Sequence, residues 1–131
     1  MTNDDRLREP PRDRLAGASQ VLDLADMAAA LRAEPHAATT GHRQIAVARR
    51  GPLSVLLFVF DRDGHIPEHR TPGDVLIQVV SGELEVTLSD DVITLVSGQL
   101  LTLAPHQPHA VRALEPTDML LTIIRLATPT A

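Results

Sequence analysis

Gly64-His65-Ile66-Pro67-Glu68-His69-Arg70-Thr71-Pro72-Gly73-Asp74 runs straight into Val75-Leu76-Ile77-Gln78-Val79-Val80-Ser81-Gly82. A glycine-flanked loop hands a histidine to an apolar stretch of strand length, and a glycine turn ends it. The plan recurs in Gly98-Gln99-Leu100-Leu101-Thr102-Leu103-Ala104-Pro105-His106-Gln107-Pro108-His109, where a turn, a strand and a proline loop deliver a second histidine. Residues two apart on a strand share a face, so His69 points with Thr71 and His109 with Val111. This parity predicts that His69 and His109 meet inside the fold, although forty residues separate them.

Outward from this pair, strand-length runs of Val, Ile and Leu recur at 44–48, 53–60, 74–80, 83–88, 92–96, 100–103, 109–114 and 118–126. Arg50-Gly51-Pro52, Asp63-Gly64, Ser81-Gly82, Ser89-Asp90-Asp91, Ser97-Gly98, Ala104-Pro105 and Glu115-Pro116 separate them with turn chemistry. Eight strands at this spacing predict an all-β sandwich or jelly roll that closes on itself. Ahead of them, Leu24, Met27, Ala28 and Leu31 fall at helical spacing, with Asp23 placed as a cap and Pro35 past the end. A helix over 21–33 follows. The expected organisation is a flexible, mixed-charge arm over 1–18, a short helix and linker over 19–42, and a β-barrel over 43–131.

The two glycine–strand–histidine halves resemble the two-part signature of the cupin family, whose fold is a double-stranded β-helix or jelly-roll barrel. The family's first motif reads Gly, five residues, His-x-His, three or four residues, Glu, six residues, Gly. Anchored on Gly82, it places the first His at His69, the second at Thr71 and the Glu at Val75. The second motif matches at Gly98 and His109, puts His106 where a loop Gly stands, and has Pro105 one residue off the usual spacing. His69, Pro72, Gly73 and Gln78 fit a variant seen in small single-domain bacterial cupins, with a His-x-x-Pro-Gly motif and a Gln before the strand-final Gly. The resemblance implies a metal pocket, yet this chain keeps two of the family's three His and one Glu, so the metal-binding motif is incomplete.

Composition narrows the chemistry. The 131 residues allow one domain, and the chain has no Cys, Lys, Tyr or Trp. Thiolate sites, disulfides, Schiff-base lysines and P-loops are thereby excluded. Phe58 and Phe60 are the only aromatics besides His, and the net charge is −5 with scattered arginines. Base stacking and phosphate binding have no footing, so no nucleic-acid partner is expected. No apolar run reaches the ~20 residues of a membrane span, and the charged start is unlike a signal peptide. A cytoplasmic protein with no membrane partner is expected.

What remains is histidine and carboxylate. A divalent metal needs three or more donors at about 2.0–2.2 Å. Thr71 is a poor substitute for imidazole, and Val75 offers nothing. Gln78 is the first candidate to complete His69 and His109. Parity from Val75 places it on the opposite face, so a bulge would have to bring it inward; the alternative is a core amide bonded to backbone. His106 is the second candidate, or else an exposed loop residue. His65 and Glu68 belong to a solvated loop, Arg70 and Arg112 point outward, and His36 and His42 lie in the linker with no role. Any Zn, Fe, Mn or Ni held by so few donors is expected to be weak and lost below about pH 6.

Three functions stay open at this point. One is a small-molecule-binding barrel whose pocket carries His69, Thr71, Gln78 and His109. Another is a metal-dependent oxygenase or isomerase built on His69 and His109, completed by Gln78 or His106. The third is a filled interaction module. A homodimer is expected, because Ser54-Val55-Leu56-Leu57-Phe58-Val59-Phe60 is apolar on both faces.

Overall fold

Strand-forming runs and turn residues alternate along the chain, and the computed structural model, which describes residues 18–35 and 38–126, turns them into two facing antiparallel sheets. The strands are β1 (His42–Arg50), β2 (Leu53–Phe60), β3 (His65–His69), β4 (Gly73–Ser81), β5 (Glu83–Thr87), β6 (Val92–Val96), β7 (Leu100–Leu103), β8 (His109–Ala113) and β9 (Thr117–Arg125). One sheet has the order β1-β2-β9-β4-β7 and the other β3-β8-β5-β6. The flexible arm expected over 1–18 lies outside the described residues except for Ala18, and His36 lies outside them as well. None of the helices among the described residues is long and apolar enough to cross a membrane.

Alternation along each strand builds the core. Val75, Ile77 and Val79 of β4 face inward, as do Leu84 and Val86 of β5, Val111 and Ala113 of β8, and Met119 and Leu121 of β9. With Phe58 and Phe60 they form one cluster between the sheets. Each fully buried side chain of this size contributes about 1.5–3 kcal/mol.

The helix α1 spans Leu24–Arg32, shorter than expected at its start because Asp23 caps it with a side-chain oxygen accepting from the Asp26 amide at 3.0 Å. Ala28 and Leu31 are buried against Ile45, Val47, Leu57 and Val59 on the outer face of the larger sheet. Arg32 at the other end pairs with Asp118 at 2.6 Å and donates to the Thr117 carbonyl at 3.2 Å, tying the helix to β9. Both apolar faces of β2 are therefore used within the chain: Phe58 and Phe60 look into the barrel, and Leu57 and Val59 lie under α1. The surplus that suggested a homodimer is absorbed by the helix.

Nine strands stand where eight were expected. The addition is β3, whose residues taken alone predict a solvated loop. It is exposed at every position but the half-buried Ile66, carries Pro67, and pairs only with β8. An edge strand can hold a proline and a polar sequence because only one of its sides is hydrogen-bonded. The barrel also begins one residue earlier than expected, at His42.

Candidate functional site

The antiparallel pairing of β3 with β8 sets His69 directly opposite His109. Cross-strand partners are the closest side-chain neighbours a sheet offers, and the two ring centroids lie 4.3 Å apart, tilted by 59°. Parity alone would not achieve this. Ile66 faces inward opposite Val111, and three residues on from it His69 should face out. Between the two pairs β3 advances three residues while β8 advances two, from Val111 to His109. The bulge at Pro67-Glu68 resets the alternation and turns His69 onto the same side as Ile66. His109 is only 2% exposed, whereas His69 stands open at the mouth.

Both rings are held in the same way. Nδ1 of His69 lies 3.0 Å from the Pro67 carbonyl, and Nδ1 of His109 lies 2.9 Å from the Gln107 carbonyl. A carbonyl only accepts, so each Nδ1 carries the hydrogen and each Nε2 keeps its lone pair. The rings line a cavity of about 100 Å³ between the sheets, together with His42, Gln44, Phe58, Ile66, Ile77, Val111, Met119 and Leu121.

Burial holds the His109 pKa below the ordinary histidine value of 6.5; the Gln107 carbonyl pulls it up, and charge on His69 pushes it further down. The unfolded chain therefore binds more protons than the folded one just below pH 6.5, and stability there rises with pH. The contribution of His109 is present above the unfolded value and lost as pH falls through the depressed folded value. Melting wild type and His109→Gln from about pH 8 to about pH 5 should give the variant the flatter profile. Parallel profiles would remove His109 as a source of acid sensitivity.

The other candidates fall elsewhere. Gln78 is exposed on the outer face of β4, between Leu100 of β7 and Leu120 of β9, because that part of the strand alternates without a bulge. It is corrected from a pocket or metal residue to a surface one. Thr71 sits half-buried in the loop between β3 and β4, because β3 ends at His69 and strand parity does not carry on to it. It contributes a carbonyl to the His106 amide at 2.8 Å and no wall to this cavity. His106 is exposed with φ of +65°, so an imidazole occupies a left-handed position that favours glycine. Arg112 points outward to Asp63 at 2.9 Å and Glu85 at 3.5 Å.

His42 and Gln44 were missed. Ala38 is the only apolar residue in 38–44, so no alternation marks a strand at His42, which reads as linker, while Gln44 opens the expected strand 44–48 without a site role. Yet residues 42 and 44 share a face, and their pairing opposite Phe60 and Phe58 carries them into the barrel mouth. The His42 ring leans on both phenylalanines, with centroids 5.5 Å from Phe58 and 5.6 Å from Phe60.

The donor set does not fit the four-ligand centre that the cupin motif implies. Where that centre takes a second His and a Glu, this chain has Thr71 and the buried Val75. No three His, Cys, Asp or Glu side chains among the described residues group closely enough to hold a metal ion.

A family model described as a cupin domain matches residues 56–125. The chain belongs to the cupin family. Among solved structures, a conserved protein of unknown function from Streptococcus pyogenes is 25% identical with a TM-score of 0.68, covering 86% of this chain and 92% of that one. A cupin superfamily protein from Desulfitobacterium hafniense is 21% identical with a TM-score of 0.68, covering 86% and 96%. KdgF from a Halomonas species is 26% identical with a TM-score of 0.62, covering 70% and 86%. No curated protein matches the chain.

Proposed function

We propose that this cupin binds a small organic molecule in the cavity between its sheets, with His69 and His109 as the polar end of the site. The supporting observation is the pair itself: two imidazoles 4.3 Å apart, each tied at Nδ1 to a carbonyl and each with Nε2 free of any protein partner among the described residues. His69 is exposed, and the His109 Nε2 is not a buried atom left without a partner, so both acceptors stay reachable from the cavity. Around them the wall is aliphatic and aromatic, the composition of a ligand pocket rather than of a filled core.

Metal-dependent oxygenase or isomerase chemistry draws on donors that Thr71 and Val75 do not supply, and Gln78 points away. The ligand-binding reading needs only what is present, in a cytoplasmic protein without a nucleic-acid partner.

The test is a His69→Ala/His109→Ala double variant. Small alcohols, acids, amines and divalent metal salts are screened by thermal shift against it and against wild type, with metal content measured on both. Stabilisation by an organic probe in wild type and its loss in the double variant is the expected result. Equal responses from the two proteins would place binding elsewhere, and stabilisation by metal salts alone would replace the ligand by a cation.

A further inference from the structure

A third imidazole is prepared in the same way as the first two. The Thr40 hydroxyl lies 2.8 Å from its neighbour's carbonyl at Thr39, 3.0 Å from the His65 carbonyl and 3.0 Å from Nδ1 of His42. It has one hydrogen and two carbonyls to receive it, so it offers His42 an oxygen lone pair, and the His42 Nδ1 carries the ring hydrogen. Thr40 holds this position at φ of +47°, an outlying conformation for a β-branched residue. Strain of this kind persists only where neighbouring structure imposes it. Here the Thr39–His42 bridge and the His65 amide, which donates to the Thr40 carbonyl at 2.9 Å, clamp the residue.

Three rings on two facing sheets thus line one cavity: His69 and His109 on β3 and β8, and His42 on β1. Each has Nδ1 occupied, and none has a protein partner at Nε2 among the described residues. Gln44 adds an amide at the rim. Among the described residues, no Asp, Glu or Arg lines the cavity. A charged ligand would leave water with no counter-charge to meet. The rings do not close on a single metal-sized point; polar groups stand on both sheets with carbon side chains between them. A volume of about 100 Å³ is well below that of a drug-sized pocket.

From this arrangement we infer that the cavity selects a small, uncharged molecule that donates hydrogen bonds at two ends, a short alcohol or polyol, spanning from His69 and His109 to His42. The inference rests on the ligand-binding reading above and adds to it the ligand's charge, its hydrogen-bonding sense and a third binding residue. The selective element is the set of three Nε2 acceptors, which reward O–H donors and give nothing to a carboxylate.

Long-range proton–nitrogen correlation spectra of the full chain at about pH 8, where ordinary imidazoles are neutral, test it directly. His42, His69 and His109 should carry hydrogen on Nδ1, with exposed His106 as the solvated reference. Propane-1,2-diol titrated into wild type should move the Nε2 signals of all three rings, while isobutyrate and isobutylamine at the same concentration should not. His42→Ala should weaken the diol at least fivefold, with the chain still folded by its amide spectrum. Hydrogen on Nε2 of any of the three rings would overturn the inference. So would a diol response confined to His69 and His109 and indifferent to His42→Ala, which would leave the ligand-binding reading standing. Equal or larger responses to a charged probe would overturn the selectivity. Silence toward every organic probe, with or without a response to zinc chloride, would sink both readings.

Discussion

Phe60→Ala should cost this protein about 3–5 kcal/mol, the range for emptying an aromatic site in a close-packed core. Phe60 is completely buried and stacks on Phe58 at 6.0 Å between ring centroids. Its surroundings are two hydrogen-bonded sheets, which cannot collapse into the gap without breaking register, so most of the cavity should persist. Domains of this size have about 5–15 kcal/mol of stability in all, so the loss would be a large part of the total. The same ring supports His42, whose imidazole loses one of its two aromatic walls in the variant. Urea unfolding provides the measurement, and Arg112→Ala the comparison. That change breaks two ion pairs, but at a half-exposed side chain, so it should cost no more than about 1 kcal/mol. Similar midpoints for the two variants would contradict the packing described for the inter-sheet cluster.

Residue types with strong local preferences made most of this fold legible. Runs of Val, Ile and Leu mark strands wherever both faces are buried or alternate cleanly, as in β2, β4 and β9. The strand that escaped, β3, has its conformation imposed by pairing with β8 rather than by its own residues. Its Pro67 and Glu68 signal a loop, and only the partner strand makes them a bulge. The meeting of His69 with His109 was foreseen from parity, but it is produced by that bulge, which resets the parity midway. The outward direction of Gln78 was already written in the alternation from Val75 and needed no structure. His42 was hidden for a different reason: nothing in Thr39-Thr40-Gly41-His42 announces a strand, and its place in the barrel mouth follows from the register of β1 on β2. The acceptor character of the site lies deeper still, because it depends on three hydrogen bonds to Nδ1 that no spacing reveals.

Gly82→Ala should be far more damaging than Gly98→Ala, although both glycines hold positive φ in turns, Gly82 closing the first motif and Gly98 opening the second. Gly98, at φ of +88°, has nothing within 4 Å of the place a Cβ would take. Its replacement costs only the backbone strain of an L-residue in that region, about 1–2 kcal/mol. Gly82, at φ of +104°, has no such room: a Cβ would fall 2.4 Å from Oγ1 of Thr117, 2.7 Å from the Pro116 carbonyl oxygen and 2.8 Å from the Thr117 Cα. Two of those three atoms are backbone and cannot turn aside. The third belongs to a fully buried hydroxyl that accepts from the Glu83 amide at 3.0 Å and lies 2.8 Å from the Glu115 carbonyl. Displacing it leaves buried polar groups unpaired where the chain passes from β4 in one sheet to β5 in the other, at about 1–3 kcal/mol for each group. Strain and lost hydrogen bonds together put Gly82→Ala at about 3 kcal/mol or more. Paired urea midpoints give the test. Equal losses at the two positions would mean that backbone conformation alone requires glycine at 82, and that the close approach of Thr117 is not what fixes the crossing between the sheets.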